Sequence, residues 1–177
     1  MFAIRRARTP RQDAATITTP RADYIAAMAH AATPVTIVTT NGTAGRFGLT
    51  VSAVTSVTAD PPMLLVCVNR KTPAAAAITT NGVFAVNLLS ADNRAMAESF
   101  AGRPLQGAPY DFGHPGWEGL NGLPLLGSAL AAFECEIESW HDAGTHRVFI
   151  GRVRASRGTG EAPLIYRNRA FARIAPF

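Results

Sequence analysis

The chain has 177 residues, 47% hydrophobic and 16% charged, with two cysteines and a formal net charge of +5. This length predicts one domain with a full core. The composition excludes disorder for the bulk of the chain, a disulfide scaffold and a membrane-spanning helix, which needs about 18 consecutive apolar residues. Residues 1–22 hold five arginines and one aspartate, and the other 155 residues carry twelve cations against eleven acids. The body is nearly neutral, which argues against a nucleic-acid-binding surface. Residues 1–20 lack an apolar stretch of secretory length and are expected to form a mobile or loosely docked arm before a domain over 21–177. Cys67 and Cys135 lie in separate apolar runs and read as reduced cysteines of a cytoplasmic protein.

Thr19-Pro20 predicts a helix start, with Tyr24, Ile25, Met28, Ala29 and Ala32 on one face and Thr33-Pro34 ending it. VTIVTT at 35–40 predicts a strand, and Asn41-Gly42 a tight turn. The segment 47–57 (FGLTVSAVTSV) predicts the next strand. After the break at Asp60-Pro61-Pro62, MLLVCVN at 63–69 is continuously apolar and predicts a strand buried on both faces. The alanine-rich segment from Pro73 is a turn or helix, VFAVNLL at 83–89 a strand, and 91–101 a helix opened by Ser90 or Asp92. Residues 102–128 are rich in glycine and proline and predict a long loop. Strict alternation at 132–139 predicts a half-exposed antiparallel strand, and 147–155 and 163–174 complete the set. Six or seven strands that do not alternate regularly with two or three short helices predict a mainly β protein, best fitted by a small antiparallel barrel.

The glycines at 42, 45 and 48 follow a strand but precede another strand, so they read as a hairpin and not a phosphate cradle. The four histidines and two cysteines show no metal-ligand spacing, and no metal is expected. Three segments stand out. Thr50–Val57 is small and hydroxyl-rich, suited to backbone and short hydroxyls approaching a flat polar ligand. Asn69-Arg70-Lys71-Thr72-Pro73 puts cations and a hydroxyl before a helix-like segment, as a phosphate would require. Gly144-Thr145-His146 sets a histidine at a strand start beside a glycine turn.

Together, TIVTTNGTAGRFGLTVSAVTSVTADPPMLLVCVNR, NGVFAVNLLS, FAG at 100–102, GLPLLGSALAAFECEIE, AGTHRVFIGRV and LIYRNRAF resemble the short flavin reductases of two-component monooxygenase systems. That family includes the reductase partner of 4-hydroxyphenylacetate hydroxylase and the flavin reductase of pyrimidine degradation. The resemblance covers residues 24–174 and implies a Greek-key split β-barrel paired as a homodimer. It places Thr50, Val51, Ser52 and Ala53 along the flavin ring, and Ser56 and Val57 beside the ribityl chain. Asn69, Lys71 and Thr72 would hold the phosphate, and Phe100, Ala101 and Gly102 would cover the ligand. His146 would contact the nicotinamide, with Tyr166 lining the same pocket.

The implied activity is NAD(P)H-dependent reduction of FMN or FAD, with hydride passing from nicotinamide to flavin N5 and the chemistry residing in the cofactor. Reduced flavin would diffuse to a partner monooxygenase. The alternatives are a flavin carrier or sensor on the same barrel and a pyridoxamine-phosphate-oxidase-like enzyme. No Rossmann fingerprint decides between NADH and NADPH.

Overall fold

The computed structural model describes residues 19–119, 122–160 and 162–175. The predicted arm falls almost wholly outside them. Helix α1 (Arg21–Ala29) leads to β1 (Thr33–Pro34), β2 (Thr36–Thr40), β3 (Phe47–Val51), β4 (Val54–Ala59) and β5 (Pro62–Asn69). Next come α2 (Pro73–Asn81), β6 (Val83–Leu88), a 3-10 turn at Ala91–Asn93 and α3 (Arg94–Phe100). The remainder is β7 (Trp117–Glu118), β8 (Leu125–Leu126), β9 (Ala131–Ala143), β10 (His146–Gly158), β11 (Leu164–Arg167) and β12 (Ala170–Arg173). The molecule is mainly β and its strands pair antiparallel, as expected.

Seven strands form one sheet in the order β3-β2-β6-β9-β10-β5-β4. Its two edge strands are consecutive in the chain, linked only by Ser52 and Ala53. Laid flat, such a sheet would hold its edges about 29 Å apart, at ~4.8 Å per strand. The link from Val51 to Val54 spans at most about 11 Å. The sheet therefore curls until its edges meet, forming a barrel with its seam at Ser52–Ala53. The single strand expected over 47–57 is for this reason two strands with a bend at two small residues. Just beyond the bend, the Cys67 N–H donates to the Ala53 carbonyl at 3.0 Å, which extends the β4–β5 ladder by one residue.

Inside the curl pack Val38, Leu64, Val66, Val68, Phe84 and Phe149, and Ala74, Ala75 and Ile78 of α2 close one end. A second cluster lies on the other side of β2, where Ile37 and Leu89 meet Met96 and Phe100 of α3 and Leu164 of β11. Both faces of β2 are thus covered, and all five of its residues are buried. On β5 only Leu64, Val66 and Val68 are buried. The expectation of a strand buried on both faces fails there, because alternate residues (Met63, Leu65, Cys67) sit half-buried on the barrel's outer face.

The long loop is held more firmly than its composition suggests. Thr39 Oγ1 donates to the Pro124 carbonyl at 2.6 Å, and Asn87 accepts from the Leu126 N–H at 2.8 Å while donating to the Ile37 carbonyl at 3.1 Å. These bonds satisfy polar groups in the otherwise apolar wall. The predicted strand at 163–174 is instead the hairpin β11–β12, which turns at Asn168 and Arg169 with φ of 50° and 61°. Helix α1 buries none of its residues, leaving Tyr24 59% and Met28 52% exposed. Its N-cap is Pro20, without a side-chain hydrogen bond, so the expected Thr19 cap does not form.

Candidate functional site

The turn from Asn69 to Thr72 is built by its own side chains. Asn69 Oδ1 accepts the Lys71 N–H at 3.0 Å, and Thr72 Oγ1 donates to the Asn69 carbonyl at 2.8 Å. Thr72 is also the N-cap of α2, and Pro73 occupies the first helical turn. The alanine-rich segment is therefore a capped helix, ended by Gly82 at φ 72°.

β5 and β10 pair so that Asn69 stands directly opposite His146. His146 is exposed, with Nδ1 2.9 Å from Thr145 Oγ1. The ladder bond from Cys67 puts Ala53 level with a residue two places before Asn69, about 7 Å along the strand. Three segments far apart in sequence (52–53, 69–72 and 145–146) thus meet at one end of β5. Ser52 and Ala53 are exposed there.

The other expected residues take different positions. Thr50 Oγ1 donates to the Ala97 carbonyl of α3 at 2.7 Å, and Val51 packs toward the barrel core. Ser56 pairs with Leu64, about 16 Å along β5 from Asn69. Val57 follows it on the exposed edge of β4, 47% exposed. Phe100 is 1% exposed and packs edge-on against Phe112 and Trp117, with ring centroids 5.0 and 5.2 Å away. Ala101 and Gly102 are half-buried at the end of α3. Tyr166 packs on Phe171 in the small sheet and pairs with Thr33 of β1, so its contacts lie with the second cluster.

Sequence reasoning missed the network at the β9–β10 tip. Asp142 accepts two bonds from Arg147, at 2.8 and 3.2 Å, and pairs with Arg70 at 3.3 Å. Arg147 also donates to Thr79 Oγ1 of α2 at 2.9 Å and lies 3.9 Å over the Trp140 ring. Arg70 pins the tip through its N–H to the Thr145 carbonyl at 3.0 Å and through Nη1 to the Gly144 carbonyl at 3.3 Å. The Arg147 hydrogen bond, helped by the charges of Arg147, Arg70 and His141, holds the Asp142 carboxyl below its ordinary value and raises Arg147 in return. The available signal was the turn at Gly144, which sets 142 opposite 147 once the hairpin register is drawn.

Two cavities flank the Asn69–Thr72 turn. One, of about 370 Å³, is lined by Thr72, Pro73, Phe47, Leu49, Tyr110 and Phe112. The other, of about 520 Å³, is lined by Arg70, Lys71, Thr145 and Arg147. A flat aromatic ligand bearing a phosphate fits this donor set: exposed small residues at the seam, a polar turn with hydroxyl and amide groups at a capped helix, and apolar walls beside it. Among the described residues no group of three or more His, Cys, Asp or Glu could hold a metal.

This curled antiparallel sheet, with its polar turn and histidine brought together at one strand end, defines a mainly β barrel with its candidate site at that end. The chain belongs to the flavin reductase like domain family, whose model matches residues 28–175. It is 42% identical over 158 residues to the FMN reductase (NADH) RutF of Variovorax paradoxus (strain S110), covering 88% of this chain and 87% of the relative. Flavin reductase PheA2 superposes with a TM-score of 0.81 at 31% identity, covering 89% of this chain and all of that one. BorF, the flavin reductase component of a bacterial two-component tryptophan halogenase, superposes at 0.79 with 32% identity over 89% of this chain and 100% of its own.

Proposed function

We propose that the chain is an NADH-dependent flavin reductase that reduces dissociable FMN and passes it to a separate flavin-dependent oxygenase. The observation that carries this reading is the convergence at one end of β5, where the seam, the Asn69–Thr72 turn and His146 meet. The family and the FMN reductase (NADH) relative support the cofactor pair, and the two-component relative supports delivery to a second enzyme.

Bound flavin accepts hydride at its ring, and the protein supplies geometry and charge. In this reading Ser52 and Ala53 offer backbone and small side chains to the ring, with Thr50 and Val51 shaping the strand beneath it. Ser56 and Val57 line the adjoining edge. Asn69, Lys71 and Thr72 hold the phosphate, whose negative charge the N-terminal end of α2 favours. Phe100 acts from below by packing against β3, while Ala101 and Gly102 bound the ligand's cover. His146 orients the nicotinamide through a hydrogen bond, whereas Tyr166, packed on Phe171 beside β1, supports the second cluster.

The chain is further proposed to act as a homodimer, a reading supported by the exposed Tyr24 and Met28 of α1 and the half-buried outer face of β5. Cytoplasmic location is supported by two unpaired cysteines, and no helix among the described residues is long and apolar enough to cross a membrane. Residues 1–20 are proposed to be an arm outside the catalytic domain at 21–177.

Initial rates with NADH or NADPH against FMN or FAD test the reading. Saturable NADH consumption that depends on added FMN is the expected result. Flavin binding without NADH consumption would instead indicate a carrier, and turnover of pyridoxamine phosphate an oxidase.

A further inference from the structure

Tyr110 stands apart from the rest of the long loop. Every residue from Leu105 to Asp111 is exposed, yet the backbone at Tyr110 is held at φ 58°. Bulky side chains rarely take that conformation. The other two non-glycine residues with positive φ among those described are Asn168 and Arg169, where the tight β11–β12 hairpin turn requires it. No hairpin requires it at Tyr110, and glycine or asparagine would sit there with less strain. Such strain persists where the surroundings over-determine it, as they do at ligand clamps.

The Tyr110 N–H donates to the Ser99 carbonyl near the end of α3 at 3.2 Å. The Tyr110 hydroxyl lies over Gly102, itself at φ 75°, where a methyl group would collide with it. Two residues on, Phe112 anchors the loop: its ring packs on Phe100 and Trp117, with centroids 5.0 and 5.1 Å away, and Arg46 lies 5.6 Å over it. The Tyr110 ring is thus fixed at both its backbone and its tip, but it is 50% exposed and forms no aromatic pair among the described residues. It lines the cleft of about 370 Å³ together with Phe47, Leu49 and Phe112, and with Thr72 and Pro73 of the polar turn. The ring therefore links Gly102 to the cleft that the Thr72 turn borders.

We propose that Tyr110 is a flavin-contacting clamp, whose ring stacks on bound flavin and sets how tightly FMN is held and how fast it leaves. The inference rests on the reductase reading for the identity of the ligand. A bare aromatic face suits a flat conjugated ring, and a face already held in place loses little freedom on stacking. One ring on an exposed loop adds affinity without sealing the site, as release of flavin to a second enzyme requires.

The test is calorimetric titration of FMN, without NADH, into the wild-type protein, Tyr110→Phe and Tyr110→Gly. Tyr110→Gly is expected to weaken FMN binding about five- to tenfold, on the scale of one lost aromatic stack, and to speed FMN release in stopped-flow displacement by a similar factor. Tyr110→Phe keeps a ring and stays within about twofold. It nevertheless brightens bound FMN, because a phenol ring in contact quenches flavin emission by electron transfer and a phenyl ring does not. Flavin-free Tyr110→Gly melts no lower than the wild type, since glycine accepts the positive φ; a tyrosine kept for structure alone would lower the melting temperature. No FMN binding by the wild type, affinity in Tyr110→Gly within about twofold of it, an equal loss in both variants, unchanged quenching in Tyr110→Phe, or an FMN loss accompanied by a lowered flavin-free melting temperature would overturn the proposal. Failure of the reductase reading shows separately, as absent NADH turnover in a wild type whose FMN binding still depends on Tyr110.

Discussion

A methyl group on Gly151 would run into the Phe84 ring and lie 2.9 Å from Cys135 Cβ. Gly151→Ala is therefore expected to cost about 1–3 kcal/mol by overpacking, read as a lower urea midpoint with unchanged slope. Beside it, burial pushes the Cys135 thiol up to about 12, so it stays neutral near pH 7 and should resist thiol reagents until the protein unfolds. In the unfolded chain the same thiol ionises near its ordinary 9.0, so its contribution to stability is full below pH 9 and declines as pH rises above it. His146 is different, being exposed and bonded only to its neighbour's hydroxyl. If it orients nicotinamide through one hydrogen bond worth roughly 0.5–1.5 kcal/mol, His146→Ala raises the NADH KM about 2- to 13-fold, lowers kcat modestly and leaves flavin affinity unchanged. Loss of flavin binding at constant KM would remove it from the nicotinamide site. His146 and the 69–72 turn could be picked out of the sequence because their types are unusual beside glycine and apolar strand residues. Gly151 and the Asp142–Arg147 pair could not, since their meaning depends on what faces them across the barrel or hairpin.

At the scale of single elements, α2 starts on Thr72, whose hydroxyl also ties down the turn. Thr72→Ala should cost about 1 kcal/mol as a lost cap and weaken FMN binding at the same time, whereas a purely structural cap would lower the melting temperature alone. The β9–β10 tip carries the pH-sensitive contact. Asp142 titrates below its ordinary 3.8 in the folded protein, so its stabilising effect is present above that value and is lost as pH falls through the lowered one. The Arg147 Nε–H resonance is expected to hold its position at neutral pH and to shift only below about pH 4. Strand positions were readable from β-branched runs and turn pairs. The break at Ser52–Ala53 was not, because hydroxyl-rich small residues fit a continuous strand equally well until closure forces the bend. In β11–β12 the turn falls on Asn168 and Arg169, and without a glycine the segment reads as one strand.

For the whole molecule, strand number and the lack of regular helix–strand alternation gave a barrel from the sequence, while closure follows only from the order of strands in the sheet. The family match begins at residue 28 and so leaves the arginine-rich arm outside it. Deleting residues 1–18 should keep turnover within about twofold, as expected for a terminus outside the core; a large loss with the fold intact would place the arm over the site. The central claim is that this chain reduces flavin with NADH and then releases it. Its most direct test is anaerobic mixing of a trace of protein with NADH and a large molar excess of FMN, followed by flavin absorbance. The account predicts bleaching of many equivalents of FMN per protein chain at a rate proportional to protein. Bleaching that stops at one equivalent, or none above the rate without protein, would contradict it.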